Sequence, residues 1–297
     1  MGFRSAAMLL GILAAVSVCA AQKKKDDPNQ IGNREIGKCV NFYSVEKEIA
    51  LGKQLAEEVS RQAKVNRDPI VGEFVNRVGQ NLVRSSDAKV PFSFQVVEDE
   101  SPNAFALPGG FVFVHTGLLK LASEEDEFAG ALAHEIAHVA ARHLTCRASK
   151  EQIASVAGGI GSIFLPRGVG GIAGREAVSF GVPMAFLKFS RSDETEADYL
   201  GTQYMYAAGY DPNGAVSIFE KLEALQKSQP GLAARLMATH PMDADRIDKT
   251  EKEIQRILPA KSEYVVNTSE YSAIRERVID AGQKSDSGKP TLRRAQQ

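Results

Sequence analysis

The run His134-Glu135-Ile136-Ala137-His138 could hold and use a divalent metal ion. Two imidazoles four apart on a helix project from one face and can grip a single cation. The carboxylate after the first lies beside them, placed to take a proton from an activated water. A catalytic zinc needs a third protein ligand and one open position. The chain has five His and therefore few candidates. His143 stands nine residues past His134, half a turn round the wheel, so it faces away from the ion and reads as a structural residue. His115 falls in an apolar strand pattern and reads as a core residue. Downstream, Arg191-Ser-Asp-Glu-Thr-Glu-Ala-Asp198 opens a helix on which Glu194 and Asp198 share a face and Glu196 points roughly opposite. Either Glu194 or Asp198 can bind the ion while the other accepts the free ring N–H of a ligating His. The spacing does not choose between them.

These residues need elements to position them. Residues 123–150 predict one helix: a Ser123 cap, acids in the first turn, no breaker through the motif, and Arg142, Arg147 and Lys150 toward the end. A helix is expected after Ser44, with Ile49, Leu55 and Val59 inward and Gly52 as a weak point. A second follows Asp68-Pro69, with Ile70, Phe74, Val78 and Leu82 recurring every four residues. At Phe92, Phe94 and Val96 the period becomes two, predicting a strand. Asn103–Leu107 and Phe111–His115 predict two more, joined by Pro108-Gly109-Gly110. Helices are expected again at 194–208, 212–226 and 243–257. Residues 152–190 are Gly-rich and apolar, and read as a loop of short buried helices or as a flap over the site.

With 36 Lys and Arg against 37 Asp and Glu, no global field draws the chain to nucleic acid. Residues 1–21 read as an export signal: Arg4, an apolar run from Ala6 to Val18, then Ala20-Ala21 before Gln22. Cys19 raises a lipoprotein anchor as the less favoured alternative, because the bulky Val16 and Val18 precede it. The expected organisation is a signal peptide at 1–21, a disordered linker at 22–40, one domain at 41–280 and a disordered tail at 281–297. Cleavage leaves Cys39 and Cys146, which an oxidising compartment can join as a disulfide or leave as two isolated thiols.

His-Glu-Ile-Ala-His with the later Glu-Thr-Glu-Ala-Asp resembles the gluzincin metallopeptidase family of the type I CAAX prenyl proteases, the heat-shock protease HtpX, the Oma-type proteases and the periplasmic BepA-type proteases. Asn103-Ala-Phe-Ala-Leu-Pro-Gly-Gly, Arg142-His143, Ser190-Arg191 and Thr239-His240-Pro241 with Arg246 match the same family, in order, across about residues 40–280. The resemblance implies an α+β, mainly helical zincin-type domain with a small antiparallel or mixed sheet. It implies one zinc ion per chain held by His134, His138 and Glu194, with Glu135 as base and Asp198 behind a His ligand. It further implies that the edge strand at Asn103, Ala104, Phe105 and Ala106 pairs with an extended substrate, and that His240 lies near the metal. His240 or Arg246 is then the donor to a developing oxyanion. The chain lacks the hydrophobic spans of the integral-membrane members, so the resemblance is to the soluble, envelope-localised branch. The expected activity is a zinc endopeptidase acting in the periplasm on unfolded or misassembled envelope proteins, with peripheral-membrane or outer-membrane assembly partners. The alternative is a chaperone-like quality-control factor whose site is latched and rarely cuts.

Overall fold

The computed structural model describes residues 26–157, 188–241 and 244–287. The expected signal peptide with Cys19, most of the 152–190 loop and the end of the expected tail lie outside them. The described elements run α1 (Val45–Gln62), α2 (Pro69–Arg84), β1 (Ser93–Val97), β2 (Ala104–Leu107), β3 (Phe111–His115), α3 (Thr116–Leu121), α4 (Glu125–Ala140) and α5 (His143–Ala157). After the loop follow α6 (Arg191–Ala208), α7 (Asn213–Ser228), α8 (Pro230–Thr239), α9 (Ala244–Ile257) and α10 (Ser269–Ser287).

Local chemistry sets most boundaries. The Ser44 hydroxyl accepts from the Lys47 amide to start α1, and Asp68 with Pro69 at the first position starts α2. On α6, Ser190 and Asp193 form a reciprocal capping box, and Gly209 ends the helix in the left-handed region. Glu127, rather than Ser123, organises the start of α4 by accepting from the Ser123 and Glu124 amides.

The sheet is mixed, in the order β1-β3-β2. Central β3 pairs parallel with β1 (Val96 opposite Val114) and antiparallel with β2 (Ala106 opposite Val112). The β2–β3 turn needs its two glycines, because Gly109 and Gly110 sit at φ 75° and 92°. Alternation along β2 sends Phe105 and Leu107 into an apolar layer with Leu55 and Val59 of α1. Ala104 and Ala106 face the main core with α4. Gly52, the weak point of the α1 pattern, is a close-approach site: a Cβ there would come within 1.7 Å of the Pro108 carbonyl oxygen.

The main core surrounds α4, whose Phe128, Leu132 and Ile136 are fully buried against α2, α6 and α7. Such burial on all sides suits an Ala-rich helix, since small side chains let neighbours approach closely. Tyr271 of α10 closes one end of this core, stacking with Phe128 at 5.9 Å between centroids. Among the described residues, no helix is long and apolar enough to cross a membrane.

Four expectations change. The helix expected over 123–150 is two helices, broken between Ala140 and His143 with Arg142 in the left-handed region at φ 58°. Residues 26–40, expected as disordered linker, pack on the domain: Arg34 is buried, with its Nε 2.9 Å from Asp87 and its Nη1 2.6 Å from the Gln203 oxygen. Residues 281–287, assigned to a disordered tail, continue α10. Ile70, expected inward on α2, is 51% exposed, because spacing by four drifts off the face of a 3.6-residue helix. The cysteine question resolves as a Cys39–Cys146 disulfide.

Candidate metal centre

Helix α4 delivers His134, Glu135 and His138, and α6, packed along it, delivers Glu194 and Asp198. All five are buried. The turn between α8 and α9 adds His240, and α9 adds Arg246, both buried as well. One ligand atom from each of His134, His138, Glu194 and His240 lies within 4.8 Å of the other three. His134 Nε2 is 3.0 Å from His138 Nε2, 3.3 Å from His240 Nδ1 and 3.5 Å from Glu194 Oε2. His138 Nε2 and His240 Nδ1 stand 3.4 and 3.1 Å from Glu194 Oε1. Donors around a tetrahedral zinc at ~2.0–2.1 Å are separated by about 3.3 Å, so these edges fit that ion. The donor types, imidazole and carboxylate, fit it too.

The surrounding charges point the same way. Burial works against charge on His134, yet Asp198 (Oδ1 2.9 Å from Nδ1) and Glu194 outweigh it and raise the ring to about 10. The site therefore stabilises positive charge where a cation would sit. Burial drives His138 well below its usual value, leaving the neutral ring that can donate a lone pair. Burial would raise Glu194, but the three imidazoles hold it well below the carboxylate range. Burial raises Glu135, opposed by His240 and His134. The Glu135 carboxylate accepts the Ala106 amide of β2 at 2.9 Å, and its other oxygen lies 3.4 Å from His240 Nε2.

Glu194 is thus among the donors and Asp198 lies behind His134, while Glu196 turns away from the cluster. Arg246 requires a correction. Its Nε and Nη2 grip Asp198 at 2.8 Å each, and its Nη1 is 2.8 Å from Glu194 Oε2 and 3.0 Å from the Pro241 carbonyl. It braces two carboxylates and is not a donor held ready for an oxyanion. The edge strand is divided. Asn103 and Ala104 border a narrow apolar cavity beside Glu135, with Leu118, Phe219 and Leu222 opposite. The Phe105 side chain stacks on Phe113 in the layer behind, and the Ala106 amide is taken by Glu135. His115 is a core residue as expected, hydrogen-bonded with Ser101.

His143, expected to face away from the ion as a structural residue, is not among the four donors but stands behind one of them. The break at Arg142 folds it back so that its Nδ1 lies 2.9 Å from His138 Nδ1. Helical periodicity could not find this, because the break occurs at Ala-Arg and not at Gly or Pro. Phe219, which meets the His134 ring edge-on at 5.9 Å, was also missed, as any α7 apolar residue reads simply as core.

A small mixed sheet beside a buried helix bearing His-Glu-x-x-His, with a carboxylate from a following helix, defines a zincin-type metallopeptidase domain. The match of residues 69–254 to the model of peptidase family M48 makes the assignment particular: the chain belongs to that family. It is similar to the putative beta-barrel assembly-enhancing protease of Vibrio cholerae, 31% identical over 277 residues, covering 90% of this chain and 55% of the relative. Similarity to the beta-barrel assembly-enhancing protease of Escherichia coli K12 is 29% over 274 residues, covering 89% and 53%. The mitochondrial metalloendopeptidase OMA1 of Schizosaccharomyces pombe is 38% identical over 183 residues, covering 60% and 52%. The chain spans about half the length of these relatives.

Proposed function

We propose that the protein is a zinc-dependent metalloendopeptidase exported to the periplasm, where it cleaves unfolded or misassembled envelope proteins. The observation carrying this reading is the convergence of four buried donors with Glu135 beside an edge strand. His134, His138 and Glu194 would hold the ion. When bound, zinc supplies Lewis acidity to a water and to the scissile carbonyl. Glu135, desolvated and therefore more basic than a surface carboxylate, takes the proton of the attacking water and passes it to the leaving amine. Asp198 accepts from His134 Nδ1 and fixes that ring, and Arg246 keeps Asp198 ionised while also contacting Glu194. An extended substrate lies along the outer rim of β2, with a side chain in the cavity bordered by Asn103 and Ala104. The names of the bacterial relatives point to β-barrel assembly as the process served.

A second reading has one observation in its favour. His240 Nδ1 already stands within 3.1–3.3 Å of two donors of the cluster, so the site can be latched by its own chain. A latched site suits a quality-control factor that binds clients and cuts rarely.

The test is casein cleavage by the purified protein, with zinc measured alongside. Activity is expected to disappear with a chelator and to return with zinc. Glu135→Gln is expected to keep zinc and fold while abolishing cleavage, because the amide is nearly isosteric yet cannot take the proton. Full cleavage by that variant would overturn the mechanism.

A further inference from the structure

We propose that His143 is a positioning residue for His138, fixing the tautomer of that ring and thereby the affinity of the site for zinc. The inference rests on the metallopeptidase reading and concerns two residues that reading leaves unused, His143 and Glu196.

The argument is one of proton placement. His138 directs Nε2 into the donor cluster, 3.0 Å from His134 Nε2 and 3.4 Å from Glu194 Oε1. To offer a lone pair there, the neutral ring must carry its proton on Nδ1. That proton needs an acceptor, and the atom facing it at 2.9 Å is His143 Nδ1. His143 must then be protonated on Nε2, which lies 3.4 Å from Glu196 Oε2. The three groups therefore admit one consistent order: carboxylate accepting from His143, His143 accepting from His138, His138 free to bind the ion. Ligating imidazoles ordinarily hand their second N–H to a carboxylate or carbonyl, as His134 does to Asp198 at 2.9 Å. For His138 a second imidazole stands in that place and passes the demand to Glu196.

The backbone is shaped to produce this contact. A continuous helix would point His143 away from His138's outer nitrogen. Instead Arg142 takes φ 58°, a conformation that costs a non-glycine residue on the order of 1 kcal/mol or more. Glu48 and the Tyr43 carbonyl hold its guanidinium at 2.6 and 2.7 Å, and the Cys39–Cys146 disulfide ties down the helix that follows. His143 is 4% exposed, and Phe189 lies over the His138 ring with centroids 3.7 Å apart, so water is a poor substitute acceptor.

Zinc affinity, read by competition with a chromophoric chelator on the full chain, tests the proposal without relying on turnover. His143→Phe should weaken zinc binding by roughly 10–100-fold, the usual effect of removing a group behind a ligand. His143→Gln, whose amide oxygen can accept the His138 proton, should recover most of the loss. A fold-only role would not distinguish an acceptor from a hydrocarbon in this way. In the cobalt-substituted protein, the visible bands of His143→Phe should shift and those of His143→Gln should stay near wild type. Equal affinities and spectra in all three chains would overturn the proposal. Should His143→Phe fail to fold, the comparison passes to Glu196→Ala, expected to weaken zinc a few-fold, with wild-type affinity again overturning it. A wild-type chain that takes up no zinc would overturn the metallopeptidase reading itself, a result distinct from zinc bound equally by wild type and variant.

Discussion

His240 occupies the most consequential position at the residue scale. Its Nδ1 is 3.1 Å from Glu194 and its Nε2 3.4 Å from Glu135, so the ring fills the space between the donors and the base. A water poised for attack needs that space. His240→Ala is therefore expected to raise cleavage of an unfolded substrate, measured as the initial rate on denatured casein. A fall in kcat of about 10²–10³ at unchanged zinc content would instead make His240 a donor to the oxyanion. Away from the site, Asp126 sits in the first turn of α4 with 5% exposure. Burial raises its carboxyl to about 7, against the pull of the Glu127 amide and reinforced by Asp211, Glu127 and Glu124. In the unfolded chain the group ionises near 3.9. Between those values the folded state holds a proton that the unfolded state has lost, so the contribution of Asp126 is fully favourable below about 3.9 and is lost as pH rises to about 7. Asp126→Asn should leave Tm nearly unchanged at pH 4 and raise it relative to wild type at pH 8. A Tm difference that does not change with pH would show that the carboxyl is solvated.

Helix boundaries show which local signals were readable. Ser44, Asp68-Pro69 and Gly209 announce their helix ends because each supplies the group or conformation a terminus lacks, and the structure keeps all three. The Pro108-Gly109-Gly110 turn was legible for the same reason. The break before His143 was not, since it is held by residues some ninety-four positions away, Arg142 with Glu48. Helices α8 and α10 went unread because their periodicity is weak and their packing is tertiary. The donor set was legible in its α4 and α6 members, where i, i+4 spacing puts side chains on one face. His240 came only from the family resemblance. The same distinction between local and tertiary effects sets the outcome for two helical glycines. Gly72 on α2 has nothing within 4 Å of where a Cβ would stand, so Gly72→Ala should stabilise by roughly 0.5–1 kcal/mol through helix propensity. On α4, a Cβ at Gly130 would lie 2.8 Å from Ala215 Cα and 3.0 Å from its nitrogen, main-chain atoms of α7 that cannot swing aside. Overpacking of roughly 1–3 kcal/mol then exceeds the propensity gain, and Gly130→Ala should destabilise in urea denaturation. It should also slow cleavage, because α7 carries Phe219 against His134. Equal stability changes for the two alanines would mean that α4 and α7 adjust freely.

At the scale of the whole molecule, the N-terminal arm belongs to the domain. Its Arg34 is buried against Asp87, to which the Tyr204 hydroxyl also donates at 2.9 Å, so α6, the arm and the end of α2 share one polar junction. Such an arm resembles a disordered linker in composition, because its anchors are scattered residues whose partners are distant in sequence: Asp26 with Tyr199 and Arg256, Gly32 with Asp87, Arg34 with Asp87 and Gln203, and Cys39 with Cys146. Farther along, Asn41 donates to the Thr145 hydroxyl at 2.8 Å and the Ser149 hydroxyl accepts the Phe42 amide at 2.9 Å, laying the arm along α5. The Cys39–Cys146 disulfide closes this contact across 107 residues. On the chain-entropy account, a loop of that length removes about 4–5 kcal/mol of freedom from the unfolded chain. Its hydrogen bonds alone contribute only about 1 kcal/mol each, so the covalent link is the largest single restraint on the arm. Replacing both cysteines with serine should therefore lower unfolding free energy by about 4 kcal/mol in urea titration. Because α5 begins with His143, the same variant should bind zinc more weakly than wild type while keeping the native far-ultraviolet spectrum. Thiol counting on the unfolded wild-type chain is expected to find neither Cys39 nor Cys146 reactive until a reductant is added. Two reactive thiols without reductant, or a serine variant as stable as wild type, would show that the arm is held by its hydrogen bonds and buried Arg34 alone.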